Sequence, residues 1–364
     1  MVEAKRLVVH VADIQVSETS GMGRIAWHWK QELERRGYDY IHIGPQEVGS
    51  LPHSGLFPYA AFRAYRRLQR EATFFLVHEA ASSWFLGRRS PVAVFSHGLD
   101  RRSWELGKQR GQTLSLKSRL LFPLWRIRPC DLGIRKANTL LFSNYEDVDF
   151  AQQYYHRSAN DIMVFRNGVY PSSLDETQQP GDRPTIGFLA TWSERKGMYT
   201  LMAAAEQLHN RGLRPHWLLA GTGGTVESVR SLWPTELQPF VEVIPKFQRQ
   251  EEASILARCH VFVLPSFYEG QPLSLLQAMA AGRCCITTNC CGQRDVIRHG
   301  DSGLLHEPGD ADQLAQLIEQ VITQPEQRLA LGRRAKESVG DRPWEQVSRE
   351  VVDRLEQVFG LERA

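Results

Sequence analysis

The sequence predicts an α/β protein with two doubly wound domains that face each other across a cleft. Its 364 residues favour two domains, because single domains seldom exceed roughly 250–300 residues. Short apolar, β-branched runs alternate with helix-forming segments in two separate series. This alternation is typical of parallel sheets covered by helices on both faces. A polar stretch with proline and glycine, residues 175–184, lies between the two series and is interpreted as a linker.

The first series begins with the apolar run KRLVVHVAD at residues 5–13. A loop that ends at Gly21–Gly23 is predicted to follow, and residues 24–36 have helical periodicity closed by Gly37. Three further runs typical of buried strands lie at residues 73–78, 91–97 and 139–143. We therefore predict a first domain over residues 1–174.

The second series continues the same alternation and predicts a second domain over residues 185–342. Strands are expected at residues 185–190, 217–220, 241–244, 261–265 and 285–288. Helices are expected at residues 199–211, 251–258, 272–281 and 311–323. Residues 343–364 predict a last helix that can cross back to the first domain. In such sheets ligands bind beyond the carboxyl ends of the strands, so the active site is expected in the cleft.

Composition excludes several classes of protein. Hydrophobic residues make up 42% and charged residues 23%, which is typical of globular chains and unlike disordered ones. No apolar stretch reaches the roughly 18–20 residues of a membrane span, so a cytoplasmic chain is expected. Residues 1–180 carry a formal charge of +6 and residues 181–364 one of −3. That excess is too small and scattered for a nucleic-acid binder, but it suits anionic substrates or an anionic membrane face.

No metal site is expected. The adjacent pairs Cys284–Cys285 and Cys290–Cys291 lack the spacing of metal ligands, and neighbouring side chains on a strand point to opposite faces. We interpret the six cysteines as reduced, buried, small hydrophobic residues. Asp310 and Asp312 form an Asp-x-Asp pattern, but a helix follows, so capping is the favoured interpretation.

Residues 267–282 (FYEGQPLSLLQAMAAG) combine a tight loop with a helix start. Pro272 suits the first helical position, and the free N–H groups of Leu273 and Ser274 would present partial positive charge to a diphosphate. Glu269, in the preceding loop, could accept hydrogen bonds from sugar hydroxyls, and Gln277 lies within reach of a ribose. A purely structural proline at a helix start is the alternative.

Other candidate residues lie where predicted strands end. Arg195 and Lys196 could hold a pyrophosphate that Gly197 lets the backbone approach, although ordinary surface charge is the alternative. The glycines at residues 221–224 could also admit a ligand. His97 closes the run at residues 91–97, where a functional role and a structural one remain equally open.

A resemblance joins these separate signals. Residues 266–308 resemble the signature region of glycosyltransferase family 4, whose members are retaining enzymes with the GT-B fold of two Rossmann-like domains. The family's other landmarks recur in order as SGMGRIAWHW, FSHGLD, VFRNGVY, SERKGMYTLMAA and WLLAGTGG. The resemblance thus covers nearly the whole chain and implies a sugar transferase. It also implies that the first domain binds the acceptor and that the second binds the nucleotide-sugar donor.

The resemblance also implies a role for each candidate residue. Arg195 and Lys196 would hold the diphosphate of a nucleotide-sugar donor, and Glu269 would bind the hydroxyls of the donor sugar. His97 would contact the sugar near its anomeric carbon. The backbone of Gly270, Gln271, Leu273 and Ser274 would contact the sugar and the phosphate, and Gln277 would bind the ribose. Lys246 and Phe247 would line the base pocket, and the loop with Gly21 and Gly23 would close over the phosphate. The donor is a co-substrate, and neither a cofactor nor a metal is implied.

Four positions depart from the family pattern. Gln277 replaces a second glutamate and Ala190 replaces a diphosphate-binding arginine, while Cys291 and Asp295 replace a glycine and a glutamate. Ala190 and Gln277 leave open a catalytically decayed protein that only binds a sugar nucleotide or a partner transferase. A GT-B-like epimerase or phosphorylase is disfavoured, because the motifs match the transferase pattern.

Two basic segments suggest a membrane surface as a partner. Residues 115–128 (SLKSRLLFPLWRIR) mix apolar side chains with cations, and residues 63–70 (RAYRRLQR) add more. Basic amphipathic segments with tryptophan bind anionic lipid, which suits a peripheral enzyme on the inner face of a membrane with a lipid-linked or lipopolysaccharide acceptor. A core helix with solvated arginines is the alternative.

Overall fold

The computed structural model describes residues 6–110, 116–171, 181 and 183–361. The chain divides into two compact units, one comprising Met1–Asn167 with Trp344–Ala364 and the other Gly168–Pro343. Each unit contains a parallel six-stranded sheet with accompanying helices, which confirms the predicted fold class of two doubly wound, Rossmann-like domains.

The first unit is built on a sheet whose neighbouring strands all run parallel. Its strands are β1 (Leu7–Val11), β2 (Asp39–Ile43), β3 (Phe74–His78), β4 (Val92–Ser96), β5 (Thr139–Phe142) and β6 (Ile162–Val164), and their order is β2-β1-β3-β4-β5-β6. The four strands predicted from apolar runs are confirmed. The sequence does not predict β2 and β6, because these edge strands are half-buried and their segments DYIHI and IMV lack a long apolar run.

Helices flank this sheet. They are α1 (Gly21–Arg35), α2 (Pro45–Val48), α3 (Phe57–Arg67), α4 (Glu79–Ser82), α5 (Asp100–Gln109), α6 (Leu116–Phe122), α7 (Arg128–Lys136) and α8 (Tyr145–Tyr155), with a π-helix at Pro123–Ile127 between α6 and α7. The loop predicted to end at Gly21–Gly23 is wrong, because these residues form the first turn of α1. The Arg24 N–H donates to the Ser20 carbonyl at 2.8 Å, so the first helical hydrogen bond already encloses both glycines.

The second unit repeats the architecture with a different strand order. Its strands are β7 (Thr185–Leu189), β8 (His216–Ala220), β9 (Val241–Ile244), β10 (Val261–Leu264), β11 (Cys284–Thr288) and β12 (Leu304–His306), and their order is β12-β11-β10-β7-β8-β9. All five predicted strands are confirmed to within a residue at each end. Among the described residues of this unit, the short edge strand β12 is the one strand that the sequence does not predict.

The helices of the second unit follow the predicted alternation. They are α9 (Met198–Asn210), α10 (Val226–Arg230), α11 (Arg249–Ala257), α12 (Leu273–Ala280), α13 (Cys291–Val296), α14 (Ala311–Thr323) and α15 (Pro325–Ser338). The capping interpretation of Asp310 is confirmed, because its side chain accepts a hydrogen bond from the Gln313 N–H at 2.8 Å.

The last helix, α16 (Trp344–Phe359), belongs to the first unit and packs against α1. The Trp344 ring stacks on His28 with centroids 4.1 Å apart. Arg36, which is 10% exposed, holds the acidic side chain of Glu356 at 2.5 Å. A buried ion pair of this kind fixes where the helix sits, because an unpaired charge in the same place would be costly.

The boundary between the units differs from the predicted one. The Val169 N–H donates to the Arg342 carbonyl at 2.8 Å, and Val169 forms a parallel bridge with Pro343. This pairing assigns the segment from Gly168 onward to the second unit, although the sequence suggests a first domain extending to residue 174. Most of the predicted linker at residues 175–184 lies outside the described residues.

The cysteines behave as expected from their sequence context. None of the six forms a disulfide, and all except the half-buried Cys290 are buried. Burial raises the pKa of Cys259 and of Cys284 to about 12. Across the part of the chain that the structure describes, no group of three or more His, Cys, Asp or Glu side chains could hold a metal ion, and no helix is both long and apolar enough to cross a bilayer.

Candidate active site

The candidate site of the second unit lies where its strand order reverses. β7 and β10 are neighbours in the sheet, yet the chain visits β8 and β9 on one side and β11 and β12 on the other. The loops that leave the carboxyl ends of β7 and β10 therefore diverge and form a crevice, which is the general ligand position in doubly wound sheets. Arg195 and Lys196 come from the first loop and Glu269 from the second.

Backbone contacts lock these two loops together. The Phe267 N–H donates to the Arg195 carbonyl at 2.9 Å. Gly197 adopts φ +79°, and a Cβ there would lie 2.0 Å from the Pro265 carbonyl oxygen. The expectation that Gly197 admits a pyrophosphate is thus corrected: its missing side chain makes room for the neighbouring loop, which then positions Arg195 and Lys196.

Three predicted residues meet in one ion cluster. The Lys196 Nζ lies 2.5 Å from Glu269 Oε1, and Arg195 Nη1 lies 3.2 Å from the same oxygen. Arg195 also donates to the Tyr268 carbonyl at 2.9 Å. Glu269 and Lys196 are largely buried, whereas half of the Arg195 side chain is exposed.

This cluster keeps Glu269 ionised. Burial alone would raise the pKa of Glu269, but the charges of Lys196 and Arg195 outweigh burial and hold the pKa below its ordinary value. A buried carboxylate flanked by two cations can accept hydrogen bonds from hydroxyl groups, while the cations bind an anion beside it. The arrangement suits a ligand that joins a sugar to a phosphate.

The start of α12 adds a second source of positive potential. Pro272 is the N-cap residue and not the first helical residue that the sequence predicts, so the helix begins with Leu273 and Ser274. No side chain among the described residues caps this end, so its first N–H groups are not bonded within the helix. Such a helix terminus favours an anion.

The loop between Glu269 and α12 is supported from behind by α13. A Cβ on Gly292 would lie 1.6 Å from the Gly270 carbonyl oxygen, so only glycine permits this approach. Gln271 is buried, and its Oε1 accepts a hydrogen bond from Arg342 at 3.3 Å. The position of Gly270 therefore depends on Gly292, which lies twenty-two positions later in the chain.

Sequence reasoning missed one supporting side chain. Gln293 is fully buried, and its amide donates to Thr288 Oγ1 at 2.6 Å and to Thr287 Oγ1 at 2.9 Å, next to the loop that begins at Ser266. A lone glutamine in a short helix carries no periodic or motif signal, so the sequence offers no sign of this role. Neighbouring Cys291 holds φ +51°, a conformation in which the family pattern has glycine.

Comparison with known proteins identifies the domain that carries this site. Residues 171–338 match the family of group 1 glycosyl transferases. The second unit is therefore similar to a group 1 glycosyl transferase domain. Its match confirms the resemblance derived from the signature region at residues 266–308.

A curated relative is similar to part of the chain. The lipopolysaccharide core biosynthesis glycosyltransferase LpsE of Rhizobium meliloti is 30% identical over 160 residues, which cover 44% of this chain and 46% of that protein. The chain therefore matches about half the length of that relative.

Two solved structures resemble the chain over nearly its full length. Sucrose-phosphate synthase from Thermosynechococcus elongatus matches with a TM-score of 0.80 at 17% identity, over 98% of this chain and 100% of that one. HepE of Anabaena, in complex with UDP and glucose, matches with a TM-score of 0.70 at 14% identity, over 96% of this chain and 99% of that one. These similarities establish the fold, which is GT-B.

Within the second unit, the predicted base pocket lies at the ends of β8 and β9. The Gly221 N–H donates to the Ile244 carbonyl at 2.8 Å, which joins the two loops. Half-buried Phe247 packs over Gly221, where a Cβ would lie 3.0 Å from the ring. Lys246 is exposed beside it. The glycine thus makes room for an aromatic face, as a base pocket requires.

Gln277 is buried in α12 of the same domain. Only 8% of the residue is exposed, and its Nε2 has no hydrogen-bond partner among the described residues. A buried amide without a partner is costly unless a ligand or water satisfies it.

Three predicted residues belong to the first unit, outside the residues that match the family. Gly21 faces open space in the first turn of α1. Gly23 packs tightly, because a Cβ there would lie 2.1 Å from the Gln15 carbonyl oxygen. His97 follows β4, and the backbone N–H groups after it are fixed by side chains: Gly98 donates to Ser96, Leu99 to Asp147 and Asp100 to Glu79.

The environment of His97 keeps its ring neutral. Its ring lies 6.4 Å from that of His78 and 5.6 Å from that of Phe165. Burial and then the proximity of His78 lower the pKa of His97 to about 3, and burial lowers the pKa of His78 to about 4. At neutral pH, His97 can therefore donate or accept a hydrogen bond but does not supply a positive charge.

We predict that Gly197→Ala destabilises the protein more than Gly212→Ala does. Both glycines have positive φ, +79° and +83°, so each alanine costs about 1–2 kcal/mol from the left-handed backbone. Gly212 faces open space, whereas Gly197 meets Pro265, which adds about 1–3 kcal/mol of overpacking. Urea unfolding of both variants measures the difference, and equal losses of unfolding free energy would show that the close approach carries no cost.

We predict that stability falls below about pH 6.5 because of the buried histidines. The folded-state pKa values of His78 and His97 lie below the unfolded value of about 6.5, so the unfolded chain binds protons first as the pH drops. Their contribution is complete above about pH 6.5 and is lost toward pH 4, by up to about 1.4 kcal/mol per pH unit for each residue.

Urea unfolding of wild type and His78→Leu at pH 7.5 and pH 5.5 checks this pH dependence. The variant should lose less stability than wild type over that interval. Exposed His156→Asn is the control, since asparagine tolerates its left-handed backbone of φ +56°. A pH dependence in His78→Leu identical to that of wild type would contradict the assignment.

Proposed function

We propose that the protein is a retaining glycosyltransferase that moves a sugar from a nucleotide-diphosphate sugar to a hydroxyl group of a glycan, lipid-linked glycan or lipopolysaccharide-type acceptor. The observation that carries the proposal is the ion cluster of Glu269, Lys196 and Arg195 beside the uncapped start of α12. It lies in a domain whose family transfers sugars. The fold and the lipopolysaccharide relative support the acceptor class.

In the proposed reaction, the protein acts mainly by positioning and by charge stabilisation. Lys196, Arg195 and the helix N-terminus offset the charge that develops on the departing diphosphate. Glu269 orients the donor sugar through its hydroxyls, and neutral His97 offers a hydrogen bond to the sugar near its anomeric carbon. Gln277 takes the ribose, which would satisfy its buried amide.

Front-face displacement accounts for retention without a protein nucleophile. The acceptor oxygen forms the new bond to the anomeric carbon on the face from which the diphosphate oxygen leaves. That departing oxygen accepts the proton of the acceptor hydroxyl, so no side chain needs to act as a base. Two cations and a helix terminus supply the positive charge, and we therefore propose that the transfer needs no metal.

A non-enzymatic function is the second candidate. Ala190 and Gln277 stand where the family pattern has an arginine and a glutamate, so a decayed protein could bind a sugar nucleotide or a partner transferase. The intact ion cluster favours the enzyme, because Glu269, Lys196 and Arg195 keep the charges that the proposed transfer uses.

We predict that Lys196→Ala and Glu269→Gln separate donor binding from turnover. Calorimetry with UDP, GDP and ADP should find one nucleotide that binds wild type, and Lys196→Ala should lose at least about tenfold in affinity, since a charged hydrogen bond contributes about 1.5–3 kcal/mol. Glu269→Gln should retain nucleotide binding but lower the rate of donor-sugar hydrolysis about a hundredfold or more.

Lys30→Ala, on the surface of the first unit, is the matched control and should leave both readouts unchanged. Wild type that binds nucleotide but never releases it from a sugar conjugate would favour the decayed protein. Hydrolysis that persists in EDTA would support metal independence. Loss of hydrolysis in EDTA with recovery on adding Mg²⁺ would contradict it.

We also propose that the first unit binds an anionic membrane surface. Exposed apolar side chains and exposed arginines lie on α3, in the segment after α4, on α6 and on the π-helix: Tyr59, Trp84, Leu120, Leu121 and Leu124, with Arg63, Arg66, Arg67, Arg88 and Arg119. Ser115 at the start of the predicted segment lies outside the described residues. Exposed leucine and tryptophan among arginines have the chemistry of an anionic lipid interface.

Vesicle sedimentation tests the membrane proposal. More protein should pellet with vesicles of phosphatidylcholine and phosphatidylglycerol than with phosphatidylcholine alone, and Leu120→Ser with Leu124→Ser should lower pelleting several-fold, since both side chains are at least half exposed. Leu329→Ser, on the other unit, is the control. Equal pelleting with the two kinds of vesicle would contradict the proposal.

A further inference from the structure

Three consecutive backbone N–H groups after His97 are held by buried side chains. They donate in turn to three acceptors: Gly98 to Ser96 Oγ at 3.1 Å, Leu99 to Asp147 Oδ2 at 3.3 Å and Asp100 to Glu79 Oε1 at 2.9 Å. On its other side, His97 follows Ser96, which ends β4 and pairs with Phe142 of β5. The backbone of His97 is therefore fixed on both sides.

These bonds do more than cap the start of α5. Leu99 is the N-cap residue of that helix, and leucine has no side-chain oxygen that could accept a hydrogen bond. The acceptors come instead from Glu79 on α4 and Asp147 on α8, which lie 21 and 48 positions from the residues they bind. A serine or aspartate at position 99 would cap the helix without burying two distant carboxyl groups. The observed arrangement ties α4 and α8 to the segment that carries His97.

Glu79 takes part in two of the three connections. Its Oε1 accepts from the Asp100 N–H and also from the Ser96 hydroxyl at 3.1 Å, so Ser96 links Gly98 to Glu79. Only 1% of Glu79 is exposed. Burial, and then the charge of Asp100, raise the pKa of Glu79 well above its ordinary value. This shift favours the uncharged carboxyl group, which acts here through its oxygen as a hydrogen-bond acceptor.

Close packing fixes the backbone of Glu79. The Ser82 hydroxyl donates to the Glu79 carbonyl at 2.6 Å within α4. Gly133 of α7 lies directly against that hydroxyl, since a Cβ on Gly133 would be 1.6 Å from Ser82 Oγ. Because α7 approaches so closely on one side and β3 precedes Glu79 on the other, the Glu79 carboxyl group has a fixed origin.

Asp147 is held at both of its carboxylate oxygens. Its Oδ2 accepts from Asn144 Nδ2 at 2.7 Å in addition to the Leu99 N–H, and its Oδ1 accepts from Arg102 Nη1 at 3.0 Å. The Asp147 side chain is fully buried, and the guanidinium of Arg102 offsets its charge. Asp147 thus gives the segment after His97 a second fixed attachment.

We propose that Glu79 is a positioning residue that holds the His97 imidazole in the orientation that the sugar transfer needs. It binds one residue immediately before His97 and one three residues after it, so it sets the direction in which the histidine leaves the backbone. Misplacing a group that contacts substrate by about 1 Å can cost about a hundredfold in rate. The inference rests on the proposed function, in which His97 offers a hydrogen bond to the donor sugar.

Donor-sugar hydrolysis by Glu79→Met and Glu79→Gln tests the proposal on the full chain. Methionine fills a similar volume without an acceptor oxygen, whereas glutamine keeps that oxygen. Glu79→Met should lower kcat about tenfold, and Glu79→Gln should stay within about twofold of wild type. Nucleotide affinity, measured by calorimetry with UDP, GDP and ADP, should not change in either variant. Glu34→Met, which replaces an exposed carboxylate on α1, is the matched control.

A double-mutant cycle with His97→Ala distinguishes positioning from general damage. If Glu79 acts through His97, Glu79→Met should not lower kcat further in the His97→Ala background. Equal losses in the two backgrounds would overturn the proposal. A loss in Glu79→Gln as large as that in Glu79→Met would also overturn it, because the glutamine keeps the acceptor oxygen.

NMR of the His97 ring separates failure of this inference from failure of the proposed function. The His97 Cε1–H signal, assigned by its loss in His97→Ala, should shift in Glu79→Met and keep its wild-type position in Glu79→Gln and Glu34→Met. A wild type that hydrolyses no donor but shows this pattern would remove the proposed function and keep the control of His97 by Glu79. A His97 signal that Glu79→Met leaves unmoved would overturn the inference whatever the activity.

Discussion

The buried carboxylate of Glu269 is the constraint on which the candidate site depends. A carboxylate in that position is stable only with a cation close to it, and Lys196 at 2.5 Å meets this need. Because Glu269 follows β10 and Lys196 follows β7, the ion pair also ties together the two loops that diverge at the reversal of the sheet. One electrostatic requirement therefore sets both the charge of the site and its shape.

Glycines at close backbone contacts make that ion pair possible. Gly197 lies against Pro265 and Gly292 against Gly270, and in each case a methyl group would overlap a carbonyl oxygen. These contacts bring three loops within hydrogen-bonding distance of each other, after which Gln293 and Arg342 secure them through their side chains. The chemistry of the site thus rests on residues that have no functional groups of their own.

The sequence predicts the central strands and the longer helices because their signals are local. Apolar runs such as residues 91–97 and 139–143 mark strands that are buried on both faces. The edge strands β2 and β6 escape prediction, since their partial exposure removes that signal. The edge strand β12 is buried but has only three residues, too few to form an apolar run. The start of α1 was misplaced for a related reason: glycine has a low helix propensity, and only the fold supplies the hydrogen bond that begins the helix at Gly21.

For the candidate site, the sequence predicts which residues take part but not how they are arranged. The motif residues Arg195, Lys196 and Glu269 were named from the sequence, and the structure brings all three together. Their geometry was not predictable, because the carboxylate–cation pairing and the support from Gln293 depend on contacts between residues distant along the chain. The role of Gly197 was misread for the same reason: its nearest neighbour, Pro265, lies 68 positions away in the sequence.

Two of the four departures from the family pattern, Ala190 and Gln277, change the formal charge of the candidate site. Ala190 removes a cation from the loop after β7, and Gln277 removes a carboxylate from α12. One positive and one negative charge are lost, so these two departures leave the formal charge of the candidate site the same as in the family pattern. A site with that charge keeps its attraction for an anionic diphosphate. The amide of Gln277, buried without a partner, is consistent with that interpretation, because a ribose hydroxyl can satisfy it as readily as it satisfies a carboxylate.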